Sequence, residues 1–191
     1  DFDIVKSYGI FVILGVIFGT ILAANLNTKS LLLFFSTVIF FLGFYLLLLK
    51  EQKVKLKIKI RLIYKIFFGF ISGFISAPMG IAGAVINVPV LRYFGYPIKK
   101  AIGSAAAIGF IIALFGAIGF LISGTFLEAN LPLSIGFVNI PAFLIFIPIT
   151  TFMARLGANT VHKINKSKVQ TLFGIFLYVV GTVFIYRYLN L

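Results

Sequence analysis

The chain has 191 residues, of which 61% are hydrophobic and only 11% are charged, and its formal net charge is +13. A soluble domain carries about a quarter charged residues, so this composition argues against an ordinary soluble domain. The sequence has no cysteine, which excludes disulfides and thiolate metal sites.

Six runs of 18 or more residues contain no charged side chain. In chain order they are Ser7–Thr28, Ser30–Leu49, Ile66–Leu91, Ala101–Leu127, Ala129–Ala154 and Val169–Tyr186. A helix needs roughly 20 apolar residues to cross the hydrocarbon core, and six such runs cannot be buried inside a soluble protein of this size. The sequence therefore predicts an all-α, polytopic membrane protein with the lipid bilayer as its surroundings.

The positive charges lie in short loops between the apolar runs, where the positive-inside rule expects them. The most basic run, Lys50–Lys65, is typical of a cytoplasmic loop at an anionic leaflet. We therefore expect no nucleic-acid partner.

Two stretches of the chain resemble each other, Ile13–Leu46 and Phe146–Phe184. Leu22-Ala23-Ala24-Asn25 matches Leu156-Gly157-Ala158-Asn159, and Phe35 and Gly43 then match Phe173 and Gly181. About 70 residues, Tyr64–Ala142, precede the second copy, whereas only a few precede the first. If the repeat is real, a segment of similar size is expected before the first copy.

Loop charge predicts the topology. Loops 50–65 and 155–168 are basic and should be cytoplasmic, whereas loop 124–139 has no Lys or Arg and should be external. Both assignments hold only if Ile66–Tyr96 enters and leaves the membrane on the cytoplasmic side. Helix breakers within it support this hairpin: Pro78, Gly80, Gly83 and Pro89. The two copies then run in opposite senses, an arrangement that recurs in transporters.

The predicted organisation has three parts. Residues 1–50 form the end of the first repeat with two transmembrane helices, 51–65 a basic cytoplasmic loop, and 66–191 the second repeat. The second repeat contains the broken, re-entrant hairpin at 66–96 and transmembrane helices at about 101–123, 140–156 and 168–188.

The hairpin is the candidate binding site. A helix broken inside the membrane leaves backbone N–H and C=O groups unpaired, and the N-terminal end of a resumed half-helix favours an anion. The donors should come from around Gly83–Asn87, with Ser76, Asn87 and Ser104 as side-chain partners. The small residues that recur from Gly69 to Gly109 have a simpler alternative explanation, which is close packing between helices.

This region resembles the sulfite exporter TauE/SafE family of bacterial inner-membrane proteins. The matching positions are Gly69, Gly73, Ser76, Gly80-Ile81-Ala82-Gly83-Ala84, Val88-Pro89-Val90-Leu91 and Ala101-Ile102-Gly103-Ser104-Ala105. Ala82 and Ala84 replace two glycines of the family pattern, and Ser104-Ala105 replaces Thr-Ser.

The resemblance implies a secondary transporter in the bacterial inner membrane for sulfite, a sulfonate or a related small organic anion. No cofactor and no metal are expected. Together with the broken-helix argument, it gives seven candidate substrate-binding residues. They are Ser76, Gly80, Gly83, Ala84, Asn87, Pro89 and Ser104.

Other polar residues have simpler explanations. Arg92 and Arg155 should anchor helix ends at the interface, His162 should be a loop residue, and Asn25 and Asn159 should cap helices. The acidic residues Asp1, Asp3, Glu51 and Glu128 all fall outside the apolar runs, so no run carries a carboxylate for proton coupling.

Two alternatives to a secondary transporter fit the same residues, and a third does not. A passive anion channel and a non-transporting membrane subunit both stay open, as does a homo-oligomer. A membrane enzyme is not expected, because the apolar runs carry no set of nucleophile, base or metal ligands.

Overall fold

A computed structural model describes residues 2–48, 61–81, 83–128, 131–161 and 166–191. Within them the chain forms α1 (Phe2–Asn25), α2 (Thr28–Leu48), α3 (Leu62–Met79), α4 (Ala84–Tyr93), α5 (Ile98–Phe126), α6 (Ile140–Val161) and α7 (Lys166–Leu189). A short hairpin, β1 (Ser134–Ile135) and β2 (Val138–Asn139), lies between α5 and α6.

Six of these helices are long and apolar enough to cross a membrane, and α4, with 10 residues, is not. The prediction of an all-α, multi-pass protein is therefore confirmed, apart from the two-residue strands. Helix α3 begins four residues before the predicted hairpin does, because the apolar pattern extends back through Leu62-Ile63-Tyr64. Residues 51–60 of the predicted basic loop lie outside the described residues, as does His162.

The helices form two compact units. The first contains α1, α3, α4 and α5, and the second contains α2, α6 and α7. Each unit thus takes helices from both predicted repeats, so the repeat boundaries stay a prediction.

Close glycine packing joins α1 to α3 in the first unit. A Cβ at Gly15 would overlap the carbonyl oxygen of Phe70, and one at Gly73 would overlap that of Val12. Gly19, one turn after Gly15, meets Phe74, one turn after Phe70. The contacts advance along both helices together, so α1 and α3 run parallel. Small residues let helix backbones approach in this way, and the packing explanation for Gly73 is correct.

Helix α5 runs parallel to α1 as well. Gly9, early in α1, faces Ile111, whereas Thr20, near its end, faces Gly119. Since α3 and α5 point the same way, the chain must return between them. Helix α4 forms this returning segment. Its direction follows from Phe94, the residue after its end, whose ring centroid lies 5.8 Å from that of Tyr64 and 6.0 Å from that of Phe68, near the start of α3.

In the second unit α2 and α7 pack antiparallel. Gly181 contacts Phe40, whereas Gly174, two turns earlier in α7, contacts Leu47, two turns later in α2. Helix α6 presents exposed side chains along the whole of its apolar span, Ile140–Gly157.

Candidate functional site

The break between α3 and α4 is made by two glycines. Gly80 ends α3 with φ of +61°, and its N–H and that of Ile81 bond to the carbonyls of Ala77 and Ser76. These are the paired bonds of a Schellman cap, which favours glycine because φ is positive. Gly83, with φ of +65°, starts α4.

The two prolines do not break the helix, contrary to the sequence prediction. Pro78 lies in the last turn of α3, and Pro89 lies inside α4. Each occupies a helical position, so the reversal of the chain depends on the left-handed glycines and not on the missing proline N–H groups.

A buried polar cluster lies beside this break. It consists of Tyr8 from α1, Ser72 and Ser76 from α3, and Asn87 from α4, none more than 2% exposed. The Tyr8 hydroxyl donates a hydrogen bond of 2.9 Å to Oδ1 of Asn87. Within the described part of the chain, Nδ2 of Asn87 and the hydroxyls of Ser72 and Ser76 accept or donate no hydrogen bond of good geometry.

Gly83 lies where these groups converge. A Cβ at Gly83 would be 2.8 Å from Nδ2 of Asn87 and 3.5 Å from Oγ of Ser76. It would also be 2.5 Å from Cδ1 of Ile112 on α5. Two buried donors without partners among the described residues thus meet at Gly83, where the packing leaves no room for a side chain.

A cavity of about 210 Å³ adjoins the break. Ser76, Ala77, Gly80 and Ile81 line it from the side of α3. From α5 it is lined by Ile112, Ala113, Gly116, Ala117 and Phe120. The described lining is uncharged, and the Ser76 hydroxyl is its polar side-chain group. The cavity can hold a small solute with water, since one water molecule takes up about 30 Å³ of liquid.

Part of the expected set of backbone donors is already used. The N–H of Gly83 bonds to the carbonyl of Ile81, and the N–H groups of Ile86 and Asn87 bond to that of Gly83. The first N–H groups of a helix have no acceptor within it. Among the described residues, no backbone acceptor is found for the N–H groups of Ala84 and Val85, which makes them the candidate backbone donors for a ligand.

The predicted site residues fall into two groups. Ser76, Gly83 and Asn87 meet at the break, and Gly80 lines the cavity. Ser104 is buried on α5, on the face that carries Ile108, but it does not line the cavity. Pro89 is half-buried within α4, and the side chain of Ala84 lies outside the described part of the structure.

Sequence reasoning missed Tyr8 and Ser72. Tyr8 lies in the first apolar run, 79 residues before its partner Asn87, and one tyrosine in such a run carries no signal of its own. Ser72 lies one turn before Ser76 on the same face of α3, so helical periodicity would have found it.

The remaining candidates have structural roles where the structure describes them. Nη1 of Arg92 donates to the carbonyl of Tyr96 at 3.3 Å, and Arg155 is exposed on α6. Nδ2 of Asn25 bonds to the carbonyl of Ile21, one turn earlier, at the end of α1. This agrees with the expected role of Asn25 at a helix end.

The sequence model described as sulfite exporter TauE/SafE matches residues 1–184, nearly the whole chain. The chain belongs to the sulfite exporter TauE/SafE family. It is thus a multi-pass membrane protein of a transporter family and not of an enzyme family.

Two curated relatives are each described as a probable membrane transporter protein. The relative from Haemophilus influenzae is 33% identical over 113 residues, which is 59% of this chain and 43% of the relative. The relative from Methanocaldococcus jannaschii is 28% identical over 116 residues, which is 61% of this chain and 42% of the relative. Each match spans less than half of the relative's length. No solved structure matches the chain.

Proposed function

We propose that this TauE/SafE protein is a secondary transporter for a small anion in the bacterial inner membrane, and that the break between α3 and α4 holds the anion. The observation that carries the proposal is the pair of buried donors, Nδ2 of Asn87 and Oγ of Ser76, which face Gly83 without partners among the described residues. A buried polar group left unpaired costs about 1–3 kcal/mol, and an anion that accepts from both donors would offset that cost.

The chemistry of the site favours an anion over a cation. An amide NH₂ and the first N–H groups of α4 only donate, and a serine hydroxyl donates to an anion equally well. The N-terminal end of α4 also carries partial positive charge. Sulfite, which the family description names, and small sulfonates present several acceptor oxygens to such donors.

The topology of the first unit supports a re-entrant hairpin. Because α1, α3 and α5 run parallel, α3 and α5 would enter the membrane from the same face, with α4 returning between them. The bond of 2.7 Å from Nζ of Lys65 to Oγ of Ser7 brings the starts of α1 and α3 to that face. We assign this face to the cytoplasm, because the basic loop leads into α3.

One packing feature favours a carrier over a passive channel. Ile4, Leu91, Phe94 and Ala101 form a buried apolar cluster at the starts of α1 and α5 and the end of α4. The cavity lies farther along α5, at Ile112–Phe120. Packed apolar side chains therefore lie toward the proposed cytoplasmic face from the site, which is the arrangement expected of a carrier in a state closed to that face.

The test is anion flux into proteoliposomes of the full-length protein, with sulfite and a small sulfonate as substrates. Replacing Asn87 by Leu keeps the approximate volume and removes the donor, and it should reduce flux by at least tenfold. Asn190→Leu, at the exposed end of α7, is the matched control and should retain flux. Unchanged flux in Asn87→Leu would place the anion site elsewhere.

A further inference from the structure

The Tyr8 hydroxyl and the Asn87 carboxamide form a hydrogen bond at the break. Tyr8 is not among the groups proposed to donate to the anion. The phenol comes from α1, crosses to α4, and is 2% exposed. Its ring packs in the cluster of Val12, Ile108 and Ile112, so the position of the hydroxyl is fixed by surrounding side chains.

A carboxamide is a two-faced ligand group. Its oxygen only accepts hydrogen bonds and its NH₂ only donates them. Rotation by half a turn about the last side-chain bond exchanges the two, and the oxygen would then repel an anion. Selectivity at the break therefore depends on which end of Asn87 faces Gly83.

The structure assigns this choice to Tyr8. The Tyr8 hydroxyl donates its proton to Oδ1 of Asn87 at 2.9 Å. The other end of the carboxamide, Nδ2, is then directed toward Gly83, where a Cβ would lie 2.8 Å from it.

We propose that Tyr8 is a positioning residue that makes the site donor-only and thereby selects anions. The inference rests on the proposed anion site. Tyr8 need not touch the anion, because its effect passes through the orientation of Asn87.

Tyr8→Phe tests the inference, because it removes the hydroxyl and keeps the ring that fills the apolar cluster. We expect the KM for sulfite flux to rise about tenfold with little change in the maximal rate, the effect of losing about one oriented hydrogen bond. Tyr64→Phe, on a half-exposed tyrosine of α3, is the control and should leave KM unchanged. Both proteins are checked for a monodisperse elution profile and thermal midpoint.

A second variant separates positioning from a general structural role. In Asn87→Ser the side chain is too short to reach Tyr8 and has no carboxamide to orient. Adding Tyr8→Phe to Asn87→Ser should therefore change KM no further. An additional tenfold rise in the double variant would overturn the inference, as would an unchanged KM in Tyr8→Phe alone.

The outcomes also separate this inference from the proposed site. Unchanged flux in Asn87→Leu contradicts the site itself. Lost flux in Asn87→Leu together with normal KM in Tyr8→Phe leaves the site in place and rejects only the role of Tyr8. If Tyr8→Phe does not fold, Tyr8→Met, which also lacks the hydroxyl, replaces it, and a normal KM there rejects the inference.

Discussion

The ring of Phe40 in α2 meets the ring of Tyr178 in α7 edge to face, with 5.3 Å between centroids. Each residue lies five positions after a matched phenylalanine of the predicted repeat, Phe35 or Phe173. Gly181 packs on Phe40, and its counterpart Gly43 packs on Tyr178. Residues that match in the predicted repeat thus exchange roles across this antiparallel helix pair, and the repeat itself stays a prediction.

A disulfide tests this register. In Gly43→Cys/Gly174→Cys the two backbones are close, since a Cβ at residue 43 would lie 3.4 Å from the Gly174 carbonyl oxygen. Mild oxidation should cross-link the pair, and the chain offers no other thiol. In Gly43→Cys/Gly181→Cys the second cysteine is seven residues farther along α7, about 10 Å, and should not cross-link. Mass spectrometry after proteolysis reports the bond, and the reverse pattern would refute the antiparallel register.

Substitution by alanine should change the thermal stability in opposite directions at Gly73 and at Gly103. Gly73→Ala introduces a methyl group that overlaps the Val12 carbonyl oxygen, so it must separate α1 from α3 and lower the thermal midpoint in detergent. Gly103→Ala on α5 has no neighbour within 4 Å and should raise stability slightly, since alanine favours a helix over glycine by about 1 kcal/mol. Equal midpoints for both variants would mean that the α1–α3 approach is not close.

Gly83 is expected to be intolerant of any side chain. Gly83→Ala places a Cβ 2.5 Å from Ile112 and imposes φ of +65° on an L residue, so the break should distort. Gly83→Val should be worse, and its loss of flux would therefore mix folding with binding. We expect Gly83→Ala to lower both flux and thermal midpoint, whereas Asn87→Leu lowers flux more than the midpoint. A Gly83→Ala protein with normal flux and midpoint would contradict this geometry.

The proposed re-entrant hairpin predicts sidedness. Single cysteines at Lys57 and Lys99 should react with an impermeant maleimide only from the cytoplasmic face, and one at Glu128 only from outside. The reason is that α3 and α5 run parallel, so their starting ends share one face. Labelling of Lys99→Cys from outside would mean that α3 and α4 together cross the membrane once.

The sequence alone determined that this is a membrane protein and where its helices lie. Apolar length decides this, since charge-free runs such as Ala101–Leu127 have no alternative to the bilayer. The helix breakers also located the break, of which Gly80 and Gly83 adopt the positive φ that other residues avoid. Local conformational preference was therefore sufficient up to the level of single elements.

The tertiary structure decided which groups face the break. No periodicity connects Tyr8 with Asn87, since their contact depends on α1 lying parallel to α3 at glycine-to-backbone distance. The tertiary structure also places both prolines within helices. Of the five backbone N–H groups at Gly83–Asn87 that were expected to bind the anion, three bond to carbonyls of the chain itself. Such contacts arise from packing between distant segments, and a sequence pattern records only the residues that permit the packing, not the partners that result from it.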